Sequence, residues 1–315
     1  MFRKIIPALG IALSLLLAAP TRAAEPFTVL LDWFLNPDHA PLVVALQKGF
    51  FAEEGLAVDL IEPADPNDPP KLVAAGQAEV AVSYQPQLHI LVGEGLPLTR
   101  IATLVATPLN TLLALEDGPI KTIGDLKGRK IGYSVGGFED ALLGAMLKQV
   151  GLGLDDVELI NVNFSLSPAL LSGQVDAVIG AYRNFELNHL DLEGHKGRAF
   201  FIEEHGVPAY DELIVVAKND TLGDAKLAAF LRAVERGTTY LINHPADSWA
   251  AFLEYRPELD DELNRRAWAD TLPRFALRPA ALDRSRYEAF AAFLQDQGVI
   301  RNSPALDSYA VEVAR

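Results

Sequence analysis

Two stretches of this chain repeat one another, and the repeat limits the folds open to it. Leu72-Val-Ala-Ala-Gly76-Gln77-Ala-Glu79-Val-Ala-Val82 is matched 97 positions later by Ala169-Leu-Leu-Ser-Gly173-Gln174-Val-Asp176-Ala-Val-Ile179. In both copies a helical pattern stops at a glycine, and an apolar strand follows an acidic residue. A second echo precedes each copy: Gly55-Leu56 runs into Val58-Asp59-Leu60, and Gly151-Leu152 into Val157-Glu158-Leu159. Two echoes in the same order point to two α/β units of related topology.

The surrounding pattern agrees. A strand over 27–31, a helix over 41–51 and a strand over 57–61 imply a parallel sheet. Further strands are expected over 111–115, 130–133 and 212–217, followed by a helical tail from Leu222 to Val299 without a convincing strand. That tail should pack back on the first unit. The chain then divides into residues 1–23, a first lobe of 24–112 and 217–315, and a second lobe of 113–216. It crosses between the lobes near 112 and near 216, and a ligand would sit in the cleft outside the carboxyl ends of the strands.

Residues 1–23 read as a cleaved secretory signal peptide. Arg3 and Lys4 open it, an apolar stretch runs from Ile5 to Ala19, and Thr21-Arg22-Ala23 offers small residues for cleavage after Ala23 or Ala24. Cleavage would remove three basic residues and take the formal charge from −15 to −18. That sign is wrong for gripping a phosphate backbone, so nucleic acid is not an expected partner. The chain has no Cys, which removes disulfides, thiolate metal sites and a lipoprotein anchor, and the six His show no helical pair for a metal. A freely diffusing periplasmic protein, without metal or cofactor, is expected.

Residues just past strand ends point into such a cleft, and four of these ends are rich in aromatic, amide and carboxylate side chains. They are Asp32-Trp33-Phe34-Leu35-Asn36-Pro37-Asp38-His39, Ser83-Tyr84-Gln85-Pro86, Ser134-Val-Gly136-Gly137-Phe138-Glu139, and Gly180-Ala-Tyr182-Arg183-Asn184-Phe185-Glu186. Singly, each has a bland reading: Asp32 as a turn residue, Trp33 as a core plug, His39 as a satisfied polar side chain, Gly136-Gly137 as a tight turn. Their convergence selects Trp33, Asn36, His39, Tyr84, Gln85, Gly136, Glu139, Tyr182 and Glu186 as candidate ligand-binding residues. A helix N-terminus ordinarily attracts an anion. Here Glu139 and Asp140 occupy that position, which favours a neutral or cationic ligand, flat and rich in donors.

The first loop, with Gly49-Phe-Phe-Ala-Glu-Glu-Gly-Leu56 and Ser83-Tyr84-Gln85-Pro86, resembles a family holding both the yeast-type thiamine pyrimidine synthases and bacterial periplasmic binding proteins for thiamine-pyrimidine precursors. The resemblance runs from Phe27 to Ala217. It implies the type II periplasmic binding protein fold, with two hinged α/β lobes, and places Trp33 and Asn36 in a ligand-contacting loop. The synthase branch relies on a Lys holding pyridoxal phosphate, a nearby His and a cysteine-rich iron motif. The corresponding segment here is Val82-Ser83-Tyr84-Gln85, and His89 has no Lys beside it. The resemblance therefore implies a non-catalytic, monomeric solute-binding component of an ABC importer, docking on a membrane permease with a substituted aminopyrimidine thiamine precursor bound. The alternatives are another small aromatic solute, a sulfonate, or a synthase-like enzyme.

Overall fold

The computed structural model describes residues 24–313; the expected signal peptide lies outside them. Among the described residues, ten strands form two five-stranded sheets. They are β1 (Glu25–Leu30), β2 (Leu56–Ile61), β3 (Val80–Ser83), β4 (Leu98–Val105), β5 (Asn110–Leu115), β6 (Lys130–Tyr133), β7 (Glu158–Asn161), β8 (Ala177–Tyr182), β9 (Gly197–Phe201) and β10 (Leu213–Lys218). One sheet has the order β2-β1-β3-β10-β4 and the other β7-β6-β8-β5-β9.

The two orders superimpose position by position, and the repeated segments become β3 and β8, the middle strand of each sheet. Each follows a short helix, Pro69–Ala74 or Leu166–Leu171, that ends at a glycine with φ near +75°, Gly76 (78°) and Gly173 (72°). Only glycine enters that left-handed region without a steric cost. The sheets are mixed rather than parallel throughout. β1, β2 and β3 run parallel, as do β6, β7 and β8, but β10 is antiparallel to both β3 and β4, and β5 to both β8 and β9.

The antiparallel strands are the ones reached by crossing between lobes. β5 lies wholly in the second sheet and β10 wholly in the first, so the crossings fall at 106–109 and 202–212. The expected cuts after 112 and 216 run through these strands; the correction moves each to the preceding turn. A strand enters its sheet as one hydrogen-bonded unit, so a lobe boundary falls in a turn.

The helical tail packs on the first lobe. Helix Ala225–Asn243 starts at Asp224, whose carboxylate accepts from Lys226 N at 2.9 Å. It crosses helix Ala40–Gln47 so closely that a Cβ on Gly237 would lie 2.6 Å from the carbonyl oxygen of Pro41. Phe230 from the same helix stacks on Phe27 and Phe51, with centroids 4.9 and 5.5 Å apart. Further along, Arg100 in the middle of β4 is fully buried and donates to the carbonyls of Pro279 and Ala280, both at 3.1 Å, and of Ala281 at 2.5 Å. A charged residue at the centre of an all-buried strand finds its partners in the tail.

Candidate functional site

The loop after β1 is built by short-range hydrogen bonds. Asn36 caps a 3₁₀ turn over Pro37–His39: its Oδ1 accepts from Asp38 N at 2.8 Å and its Nδ2 donates to Phe34 O at 3.0 Å. His39 Nδ1 accepts from Asn36 N at 3.2 Å, which leaves Nε2 as the donor to Asp32 Oδ1 at 2.8 Å. Asp32 Oδ2 accepts from the Tyr84 hydroxyl at 2.9 Å, tying the loop to the end of β3.

The loop faces the second lobe across a cavity. Asp32, Trp33, Asn36, Asp38, Tyr84 and Leu213 line it from the first lobe; Phe138, Glu139, Leu166, Gly180, Tyr182, Phe185 and Glu186 line it from the second. The empty space among these side chains, open solvent at the mouth included, is about 480 Å³. The lobes are in contact around it. Tyr84 packs on Phe138 with centroids 4.9 Å apart, and Phe164 packs on Trp33 at 4.6 Å and Phe34 at 4.4 Å. Asn67 accepts from Gly136 N at 3.0 Å, and Asn184 donates to Asp38 at 2.7 Å.

Of the nine candidate residues, six line the cavity: Trp33, Asn36, Tyr84, Glu139, Tyr182 and Glu186. The other three are corrected. His39 sits fully buried behind Asp32 and orients it. Gln85 is buried too, its Oε1 accepting from Asp211 N at 2.8 Å to join the starts of two elements. Gly136 is exposed, with its amide given to Asn67. Tyr84 is the extended residue before helix Gln85–Gly93 and Gln85 the first residue inside it; the first lines the cavity and the second holds Asp211. Phe138, Phe185 and Leu166 escaped selection because an apolar residue past a strand end has the same signature in a cavity as in a core, and Leu213 because it opens a strand of its own. Asp38 escaped because a carboxylate in the first turn of a helix reads as an ordinary helix-start residue.

Burial sets the electrostatics. Glu139 is pushed up to about 8 by burial, against the pull of the Ser134 and Val135 amides that its Oε2 accepts at 2.8 and 3.1 Å, and with Glu212 adding repulsion. Burial raises Glu186 to about 7, and Asp38 adds to the shift. Glu212, which reaches Tyr182 and Tyr210 hydroxyls at 3.4 and 3.1 Å, is likewise raised to about 7 by burial. Tyr84 and Tyr182 are held well above the ordinary phenol range, again chiefly by burial, and remain donors at neutral pH.

Gly180 is required by this arrangement: its φ is +94°, and a Cβ there would lie 2.6 Å from Glu139 Cδ. Of the amides leading into helix Phe138–Lys148, those of Ser134 and Val135 are engaged by Glu139 and that of Gly136 by Asn67. No Lys or Arg lines the cavity among the described residues. Chemically this is a slot of aromatic faces and carboxyl acceptors, suited to a flat ligand with N–H donors. His89 stands apart, packed against Tyr287, Phe290 and Tyr309 and lowered to about 3 by burial.

The chain is similar to several known proteins. A protein of Haemophilus influenzae whose name refers to thiamine biosynthesis is 54% identical, over 99% of each chain. A "formylaminopyrimidine-binding protein" of Halalkalibacterium halodurans is 34% identical, over 81% of this chain and 78% of its own. A 4-amino-5-hydroxymethyl-2-methylpyrimidine phosphate synthase of Uromyces fabae is 31% identical, over 77% and 74%. Among solved structures, the alkanesulfonate-binding protein of Xanthomonas axonopodis bound to MOPS superimposes with a TM-score of 0.69 over 92% of this chain and 98% of its own, at 17% identity. That likeness establishes the periplasmic binding protein fold. The model of the family described as "NMT1/THI5 like" matches residues 36–248. That match covers more than half of the chain, which therefore belongs to the NMT1/THI5-like family.

Proposed function

We propose that this protein is the periplasmic solute-binding component of an ABC importer and takes a substituted aminopyrimidine related to the thiamine precursors. The observation that carries the reading is the cavity itself: aromatic faces from both lobes, with Glu139, Glu186, Asp32 and Asp38 on its lining and no basic side chain among the described residues. The relative named for binding formylaminopyrimidine supports the ligand class. An aminopyrimidine ring offers stacking faces and amino donors that a lining carboxyl accepts, with a charge-assisted bond wherever that carboxyl is ionised. Ligand bridging the lobes would favour their closed arrangement, which would dock on a membrane permease. The expected signal peptide supports export, and the protein would act as a free monomer.

A synthase role is the less suited one. The chain has no Cys for an iron motif, and no Lys lines the cavity among the described residues. A sulfonate ligand would meet buried carboxyls and no Lys or Arg on the lining among the described residues.

Titration calorimetry tests the reading. The protein should bind formylaminopyrimidine or 4-amino-5-hydroxymethyl-2-methylpyrimidine with micromolar or tighter affinity and leave alkanesulfonates unbound. Incubation with pyridoxal phosphate and iron should yield no pyrimidine. Tight sulfonate binding without pyrimidine binding, or pyrimidine formed in the incubation, would overturn it.

A further inference from the structure

The loop that carries Trp33 and Asn36 also presents a carboxylate that is half used. Asp38 is 1% exposed and lines the cavity. Its backbone is held by the Asn36 cap, at the middle of the 3₁₀ turn. Its Oδ1 accepts from Asn184 Nδ2 of the opposite lobe and from the Thr271 hydroxyl of helix Glu262–Thr271, both at 2.7 Å. Its Oδ2 is buried and has no hydrogen-bond partner. A buried carboxylate oxygen left unpaired forfeits a full solvation contribution. Glu186, on the same cavity lining, repels it further. Both penalties are relieved by a donor arriving from the cavity.

We infer that Asp38 is a specificity-determining ligand contact: its Oδ2 accepts an N–H of the ligand's exocyclic amino group while its Oδ1 holds Asn184, so that one carboxylate links recognition to lobe closure. This rests on the solute-binding reading above. Three separate parts of the chain meet at the group: the loop after β1, the turn after β8 and the helical tail. Asn184 and Thr271 both hold Oδ1, which leaves Oδ2 as the unpartnered oxygen of a carboxylate on the cavity lining. A donor-free edge placed there would leave the oxygen unpaired, so the site discriminates against ligands that carry hydrogen or alkyl in place of the amino group.

The test is calorimetric titration of the wild type and Asp38→Asn with 4-amino-5-hydroxymethyl-2-methylpyrimidine and with the analogue carrying hydrogen in place of the 4-amino group. Asn keeps the shape and can still accept from Asn184, but it offers an amide where the ligand needs a carboxylate. Asp38→Asn should weaken the amino ligand roughly tenfold or more and change affinity for the analogue far less. Unchanged affinity for the amino ligand, or equal weakening of both ligands, would refute the contact. Wild-type protein that binds neither pyrimidine would bring down the solute-binding reading and this inference with it. Asn184→Ala provides a second variant that leaves Asp38 in place: it should weaken both ligands and keep the wild-type preference for the amino form. Loss of that preference would assign amino recognition to Asn184 and overturn the inference.

Discussion

Trp33 and His39 sit six positions apart in one loop and end in opposite circumstances. Trp33 is half-buried on the cavity lining with Phe164 of the other lobe against it, whereas His39 is fully enclosed and holds Asp32 in place. The difference gives a prediction for Trp33→Ala. Removing an indole that faces ligand should weaken aminopyrimidine binding roughly tenfold or more. Chemical denaturation should show a stability loss below the roughly 3 to 5 kcal/mol of an emptied core site. Retained affinity with a core-sized stability loss would place Trp33 in the core instead. Chemistry alone does not separate these residues: both are amphipathic, both follow a strand, and only the packing of the loop leaves one on the cavity lining and the other enclosed behind it.

Elements were legible in proportion to how local their causes are. β6 falls on the expected 130–133, and β5 and β10 lie within a residue of expectation, because apolar runs bounded by turn residues carry their own signal. β4 and β9 were not anticipated. β4 contains Arg100, Thr99 and Thr103 in an all-buried strand, a pattern that becomes stable only once the tail supplies carbonyl partners for the guanidinium. The crossing of helices Ala40–Gln47 and Ala225–Asn243 depends similarly on distant parts of the chain. Gly237→Ala should force the helices apart at Pro41 and Ala45 and destabilise the first lobe by roughly 1 to 3 kcal/mol, read as a lowered denaturation midpoint. An unchanged midpoint would mean that the contact relaxes freely.

For the whole molecule, the buried carboxyls predict how stability follows pH. Glu139 at about 8 and Glu186 and Glu212 at about 7 all lie above their ordinary values because burial disfavours the charged form. Above pH 6.5 the folded protein therefore binds more protons than the unfolded chain, and stability must fall as pH rises through 7 and 8. His89, lowered to about 3, acts in the opposite direction only below its ordinary value of 6.5. Surface carboxylates held low by partners, such as Asp65 and Asp247, titrate below this window. The ligand-free protein should thus melt several degrees lower at pH 9 than at pH 6.5, and Glu139→Gln should flatten the upper part of that slope. A melting temperature that is level or rising across the window would show these carboxyls to be ionised without penalty.

The sequence by itself determined the two related α/β units, the strand ends that could face a cleft, and the acidic, aromatic character of the candidate site. Those features rest on short-range causes: apolar periodicity, glycine stops and the residue types that follow each strand. Only the tertiary structure decided that the crossing strands run antiparallel, that β4 accommodates a buried arginine, and that Tyr84 lines the cavity while Gln85 does not. Only it joined Asp38, Asn184 and Thr271, which are 146 and 87 residues apart along the chain. Their meeting depends on how the lobes and tail pack. Neither hydrophobic pattern nor spacing encodes where three side chains from separate elements will converge, because that is fixed by the packing of surfaces distant in sequence.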